Sequence, residues 1–385
     1  MKNNRTFLEK LLDGAEVEWK PLIKVASLTR GRVISKEYLA DNVGDYPVYS
    51  SQTVNNGEIG KINSFDFDGE FVSWTTDGAN AGTVFYRSGK FSITNVCGLI
   101  KIQNNLELNY KFLFYWLSIE AKNHVYSGMG NPKLMSHQME KILIPIPPLS
   151  VQTEIVKILD ALTALTSELT SELILRRKQY EYYREKLLSF DSLEQLNMGG
   201  AKKKLIDVAI YAKVRISADK LNKENYVGVE NLLQNKLGKT SSNYVPTEGS
   251  FIEYLPNDIL IGNIRPYLRK IWLADKTGGT NGDVLVIRLT DKNILPRYLY
   301  HILANEHFFE YNIKYSKGAK MPRGDKAAIL QYEFDVPSLE EQHRIVSILD
   351  KFETLTNSIT EGLPLAIEQS QKRYEYYREL LLSFS

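Results

Sequence analysis

At 385 residues the chain is too long for one ordinary core, and 43% hydrophobic with 24% charged residues is the balance of a folded protein without extensive disorder. A formal net charge of +2 excludes the strongly basic surface that would announce nucleic-acid binding by composition alone. No run approaches the ~18 apolar residues of a membrane span, and the N-terminus has no signal-peptide core, so a cytoplasmic location without a membrane partner is expected.

The first segment carries Asp13, Glu18 and Lys20 in a D-x4-E-x-K arrangement. Paired carboxylates and a lysine suit a divalent metal at a phosphodiester, and a solvated helix-to-strand connection uses the same residues without chemistry. Alternating runs at Glu70–Trp74 and Gly82–Tyr86 read as strands. Cys97, the single cysteine, sits in the strand-like run TNVCGLIKI and reads as a small buried hydrophobe. Residues 109–118 (NYKFLFYWLS) form a short amphipathic helix, followed by a loop, SGMGNPK, with Gly128, Pro132 and Lys133.

From Leu149, just after Pro147 and Pro148, the apolar residues Val151, Ile155, Ile158, Leu162, Leu165 and Leu169 alternate steps of four and three. That is the heptad seam of a coiled-coil helix, opened but not interrupted by proline. The helix holds a tandem tetrapeptide, TSEL at 166–169 and again at 170–173, and closes on YEYYREKLLSF (180–190) before a polar, Gly-ended stretch to 200.

In the second half, Asp258–Gly262 and Lys270–Leu273 read as strands. LGKTSS (237–242) has only the GKT half of a phosphate loop, with Leu233 where the first glycine must sit, and so reads as a polar turn. LPRYLYHILA (295–304) is another short amphipathic helix, and KGAKMPR supplies Gly318, Pro322 and Arg323. After Pro337 a helix runs from Leu339, with Ile345, Ile348, Phe352, Leu355 and Ile359 on its seam, to YEYYRELLLSF (374–384). Gly362 and Pro364 inside that pattern predict a helix in two pieces.

The chain is therefore a duplication. Leu149, Gln152, Ile155, Val156, Ile158, Leu159 and Asp160 match Leu339, Gln342, Ile345, Val346, Ile348, Leu349 and Asp350 at an offset of 190, which grows to 194 by the YEYYR motif. Upstream of residue 80 the correspondence fades, as though scaffolds agree and specificity loops diverge. The expected organisation is a module at 1–148, a helical spacer at 149–197, a second module at 198–337 and a second spacer at 338–385.

Two α+β modules, each ending in Gly-x3-Pro-Lys/Arg and followed by a helix that opens Leu-x2-Gln-x2-Ile-Val and closes Tyr-Glu-Tyr-Tyr-Arg, resemble the specificity subunits of Type I restriction-modification systems. The resemblance covers essentially the whole chain, and TTDGANAGTVFYR resembles those subunits' target-recognition domains. It implies an α+β fold of two pseudo-symmetric target-recognition domains separated by two long antiparallel coiled-coil helices. It further implies a non-catalytic subunit in which each domain reads half of a split double-stranded DNA site. Two methyltransferase subunits would dock on the helices, restriction nuclease-translocase subunits would join, and tetrapeptide copy number would set the gap. No G-x-G-x-x-G and no Asp/Asn-Pro-Pro-aromatic tetrapeptide occurs, so no methyl-donor cofactor is expected on this chain. The five histidines show no ligand spacing, so no metal is expected either.

Side-chain chemistry nominates the contacts. Lys133 and Arg323 precede helix starts near Ser136 and Asp325, where free amides and a cation suit a phosphate; the same Gly and Pro residues also simply set a turn with a solvated cation. Forked or amide side chains for base reading are Gln52, Asn55, Asn56 and Asn80 in the first module, and Arg215, Asn263, Arg265 and Arg269 in the second. Tyr180, Tyr183 and Arg184, with Tyr374, Tyr377 and Arg378, form either two identical partner-docking surfaces or the packing of one helix on the other. Two further readings are a coiled-coil adaptor that touches no nucleic acid and a self-sufficient metal-dependent nuclease.

Overall fold

The computed structural model describes residues 7–127, 130–189, 201–358 and 360–384; Gly128, Phe190, Ile359 and the 191–200 connection with its boundary near 197 lie outside them. The chain forms two compact units, residues 1–168 with 368–385, and residues 169–367.

The strands of the first unit are β1 (Glu18–Pro21), β2 (Ala26–Arg30), β3 (Val43–Tyr49), β4 (Glu58–Ile62), β5 (Phe67–Thr75), β6 (Val84–Ile93), β7 (Cys97–Ile102) and β8 (Leu143–Ile146). β1 pairs antiparallel with β8, and the others form one sheet in the order β2-β7-β5-β6-β3-β4. Val72, Trp74, Ile100 and Ile102 pack with Phe112, Leu113 and Leu117 of the helix Tyr110–Glu120, which Asn109 caps through the amides of Lys111 and Phe112. Trp74 fits because β7 has Gly98 beneath its ring, where a Cβ would lie 2.1 Å from the indole. Cys97 is buried in this sheet as the sequence reading expects, and burial pushes its thiol up to about 11.

The second unit contains β9 (Ala201–Lys204), β10 (Ala209–Tyr211), β11 (Arg215–Ser217), β12 (Tyr226–Val227), β13 (Ser250–Tyr254), β14 (Ile259–Gly262), β15 (Ile271–Leu273), β16 (Gly278–Thr280), β17 (Val284–Leu289) and β18 (Glu333–Val336). Its sheets run β10-β17-β14-β15 and β11-β13-β16-β12, and β9 pairs with β18. The first of these reproduces β2-β7-β5-β6, all neighbours antiparallel in both.

The repeat reaches further upstream than the sequence alone reveals. Leu22 N donates to Ile142 O as Leu205 N does to Tyr332 O, and Gln103 N donates to Val25 O as Thr290 N does to Val208 O. Leu22-Ile23 and Val25-Ala26 are thus the twins of Leu205-Ile206 and Val208-Ala209. Small insertions hide the match by shifting the offset from 183 here to 187 in the sheet and 190 at Pro132 and Pro322. The modules truly differ in the segment after β2 and β10. In the first it adds β3 and β4 to the same sheet; in the second it contributes to a separate one.

The fold class is as expected: α+β, two pseudo-symmetric modules, and paired antiparallel helices. One helix runs unbroken over Leu149–Leu187; the other is divided into Leu339–Asn357 and Leu363–Leu381. Gly362 permits the division, at φ +85 with a would-be Cβ 2.6 Å from Thr354 O, and Pro364 follows at the start of the second piece. In the first unit Thr166 and Ser370 share a hydroxyl contact at 2.8 Å, while Ile155 and Leu159 pack in one cluster with Leu381. In the second, Arg177 reaches Thr356 O at 3.4 Å and Tyr180 stacks on Phe352.

Each module's core is completed by both helices. Val151, Ile155, Val156 and Leu159 join the first core together with Leu381 and Leu382, and Phe384 sits edge-on to Phe112 and Trp116. Ile345 and Leu349 join the second core together with Tyr180 and Leu188. The YEYYR segment that ends one helix therefore closes the module from which the other helix starts. The heptad seam is spent unevenly: Val151 and Ile155 are buried, while Leu165 is 39% exposed.

Candidate nucleic-acid interface

The same backbone lattice holds one loop in each module. In the first, Asp77 bridges Lys133, Gly78 N donates to Pro132 O at 3.0 Å, Leu134 N to Thr76 O at 3.0 Å and Thr76 N to Val96 O at 3.0 Å. In the second, Ile264 bridges Arg323, Arg265 N donates to Pro322 O at 2.7 Å, Gly324 N to Asn263 O at 3.1 Å and Asn263 N to Asp283 O at 2.8 Å. Lys133 and Arg323 are both exposed on these loops. The helix-end amides after Arg323 are not free, however. Asp325 accepts from Ala327 N and Ala328 N and pairs with Lys317 at 2.5 Å, which holds its carboxyl below the usual range. A phosphate there would meet a carboxylate, so an anion contact of Arg323 has to come from its side chain.

In the first module the nominated amides gather at one loop. Asn80 Nδ2 donates to Ser51 O at 3.0 Å and Gln52 Nε2 donates to Glu58 O, so both amides spend a donor on holding the loop between them. Asn55 and Asn56 are the exposed tip, at φ +50 and +53, followed by Gly57 at +81. Asparagine tolerates this left-handed backbone better than other side chains.

Arg87, absent from the sequence-based nominees, lies beneath that tip at 2% exposure. Its Nη1 donates to Asn56 O at 2.7 Å, its Nε to Ser73 Oγ at 3.0 Å, and its guanidinium lies over the Tyr49 ring at 3.6 Å. Burial without a bonded carboxylate brings its pKa down to about 10. No local periodicity flags such a residue, because its partners lie on the two strands that flank β6 in the sheet, β5 and β3, and on a loop distant in sequence.

In the second module Asn263, Arg265 and Arg323 come together through the shared lattice, while Arg215 lies in the other sheet and donates to Ser250 O at 2.8 Å. Arg269 pairs with Glu306 at 2.7 Å, and Glu306 also holds Lys236 at 2.8 Å. Asn263 is buried, and it and Asn312 face Gly324, where a Cβ would lie 2.9 and 2.4 Å from their Oδ1 atoms. Two further exposed cations occupy equivalent strand ends, Arg30 as the last residue of β2 and Lys213 just after β10. Arg30 donates to Asn95 O at 2.7 Å. The sequence reading missed the pair because the offset of 183 was concealed.

The helices are clamped to the modules by repeated chemistry. Gln152 accepts from Asn109 N and donates to Glu107 O and Pro147 O; Gln342 accepts from Leu295 N and donates to Asn293 O and Pro337 O, all between 2.8 and 2.9 Å. About two turns further on, Asp160 meets Lys111 and the Tyr115 hydroxyl, and Asp350 meets Arg297 and His301. His301, Asp350 and Glu353 bring candidate ligand atoms within 4.8 Å of one another, but Arg297 already binds both carboxylates, at 2.8 and 2.7 Å, and supplies the cation there. At the other candidate metal set, Lys20 is taken up by Glu18 at 3.0 Å and by Glu107.

Of the nominated helix residues, Tyr180 is 5% and Arg184 7% exposed; Arg184 reaches Ala304 O and the Tyr180 hydroxyl, so these two pack within their own unit. Tyr374 and Tyr377 lie against the first core, and Arg378 sits over the Tyr374 ring. Tyr183, although stacked on Phe352, keeps an exposed edge, and the most exposed rings of the motif are Tyr182 and Tyr376.

A duplicated α+β recognition module joined by paired helices is the class this architecture defines. The family model for the Type I restriction modification DNA specificity domain matches residues 15–176 and again 199–369. The chain belongs to this family, the specificity subunits of Type I restriction-modification systems. It is 40% identical over the full length of both chains to a Haemophilus influenzae protein assigned as a type I restriction enzyme specificity subunit. It is 33% identical to a type I restriction enzyme specificity subunit of Escherichia coli, over 98% of this chain and 97% of that one. Among solved structures, the S subunit of a Type I system from M. genitalium matches with a TM-score of 0.61 at 14% identity, covering 100% and 98% of the two chains. A chain from a study of complex assembly and conformational transition of the type I system matches at 0.56 with 15% identity, covering 96% and 98%. Among the described residues no helix is long and apolar enough to cross a membrane.

Proposed function

We propose that each module reads one half of a bipartite double-stranded DNA site and that the paired helices set the gap between the halves. The first module reads through the surface carrying Gln52, Asn55, Asn56, Asn80 and Lys133, and the second through Arg265 and Arg323, with the buried Asn263 bracing their loop through its backbone carbonyl, Arg269 just beyond Arg265 in sequence and Arg215 on the other sheet. The reading is carried by one observation: the four-strand core and the glutamine clamps are duplicated, while the segments that follow β2 and β10 are not. A shared scaffold with separate loops is what two readers of different sequences require.

Two methyltransferase subunits dock on the helices, using the exposed faces around Tyr183 and its twin Tyr377, and restriction nuclease-translocase subunits join that assembly. Methyl transfer and cleavage belong to those partners, and this chain, working in the cytoplasm, supplies the address. A net charge of only +2 suits a subunit whose partners share the phosphate contacts. Mapping methylated bases in host cells with and without the gene tests the proposal. A two-part methylated motif should vanish on deletion and return on complementation. Identical methylated motifs in both strains would contradict it.

A further inference from the structure

We infer that Arg265 is the specificity-determining residue of the second module, its guanidinium reading a guanine edge in the second half of the DNA site. The inference rests on the proposed function and deepens it. The two modules share the backbone at this point: Gly78 N and Arg265 N donate to the twin carbonyls of Pro132 and Pro322, and the residues before them bridge Lys133 and Arg323. Both have positive φ, +88 at Gly78 and +53 at Arg265. Glycine adopts that conformation freely; arginine does not, and this one also precedes Pro266, which pushes its predecessor toward extended backbone. The first module shows which residue the fold selects when backbone geometry alone decides. In the second, the side chain must supply something that outweighs its conformational cost.

That something is not internal. Arg265 is exposed, and among the described residues its guanidinium makes no hydrogen bond, ion pair or ring contact. Arg269 is the contrast. It too has positive φ, +49, but its guanidinium binds Glu306 Oε2 at 2.7 Å and Tyr267 O at 3.2 Å, so internal pairing explains it. Between the two lies a single tight turn, Pro266–Leu268, with Pro266 buried. Arg265 thus has an anchored backbone, a free planar fork and a second exposed cation, Arg323, on the paired segment. A cation for phosphate beside a fork for the O6 and N7 acceptors of guanine is the chemistry of base reading in a major groove.

The test compares the wild-type chain with R265G and R265K, each in the complex purified from its host, by selection from a randomised duplex DNA library and by thermal melting. Wild type should enrich a two-part motif. R265G should keep the first part and the gap, lose preference for guanine at a position of the second part by about tenfold or more, and melt close to wild type because glycine restores the twin's backbone. R265K should retain more affinity than R265G without recovering the discrimination. An R265G motif identical to that of wild type overturns the inference and leaves the proposed function standing. A melting temperature strongly lowered by R265G makes the arginine a prop of its own turn and also overturns it. A wild-type complex that enriches no two-part motif overturns the proposed function itself.

Discussion

Asp160 and Asp350 occupy the same place on their helices and meet different partners, the Tyr115 hydroxyl at 2.7 Å in one unit and the His301 ring at 2.8 Å in the other. The difference puts an acid-sensitive ring in the second unit where the first has a tyrosine. Burial pushes His301 below its ordinary value, with the Asp350 hydrogen bond opposing. The unfolded chain takes up a proton near pH ~6.5 while the folded one stays neutral, so stability is fully present above that pH and is lost as pH falls toward the depressed value. The melting temperature should therefore drop between pH 7.5 and 5.5, and His301→Tyr, which copies the arrangement at Tyr115, should flatten that drop; an unaltered slope would place the sensitivity elsewhere. Gln152 offers a second check. Gln152→Leu strands a part-buried amide and two carbonyls, one of them buried, at about 1–3 kcal/mol for each fully buried group, so urea unfolding should show a loss of about 2–3 kcal/mol. Thr153→Ala, at an exposed neighbour, should stay within about 0.5 kcal/mol.

At the scale of elements, the exchange of helix ends explains why YEYYR and LLSF recur: each copy seals a core made elsewhere in the chain. Leu381 is fully buried in the first core, so Leu381→Ala should destabilise that unit by about 2–5 kcal/mol, measured by denaturant unfolding. Equal stability of the variant would mean that the C-terminal segment does not close the module. Much at this scale was legible beforehand. Periodicity and proline placement located the helix starts at Leu149 and Leu339, the division near Gly362, and both short amphipathic helices. What stayed hidden is non-local. Whether the segment after β2 or β10 extends one sheet or enters a second depends on pairings across tens of residues. Tyr180 and Tyr183 look alike in sequence and differ in burial because only one faces the core. Arg87 reads as an ordinary strand cation until its neighbours are known. Among the nominated contacts, Asn55 and Asn56 are exposed as their chemistry suggested, whereas Gln52 and Asn80 brace the loop.

At the scale of the whole molecule, the 39-residue helix Leu149–Leu187 contributes to both compact units, and the tetrapeptides Thr166–Leu169 and Thr170–Leu173 meet where one unit gives way to the other. A continuous helix of that length rises ~58 Å, and each tetrapeptide accounts for ~6 Å of rise and ~40° of residual rotation. Against ~3.4 Å of rise and ~35° of twist per base pair of duplex, one tetrapeptide matches the rise of about one to two base pairs and the twist of about one, and the twist decides which base edges face the reader. If the helices hold the two readers at a set separation, copy number of TSEL is the ruler. Deleting Thr170–Leu173 and mapping the methylated sites in the host tests this most directly. The unspecified gap should shorten by about one base pair with both half-sites unchanged. A gap of unaltered length, or half-sites that change with it, would contradict two independent readers on a spacer of fixed length.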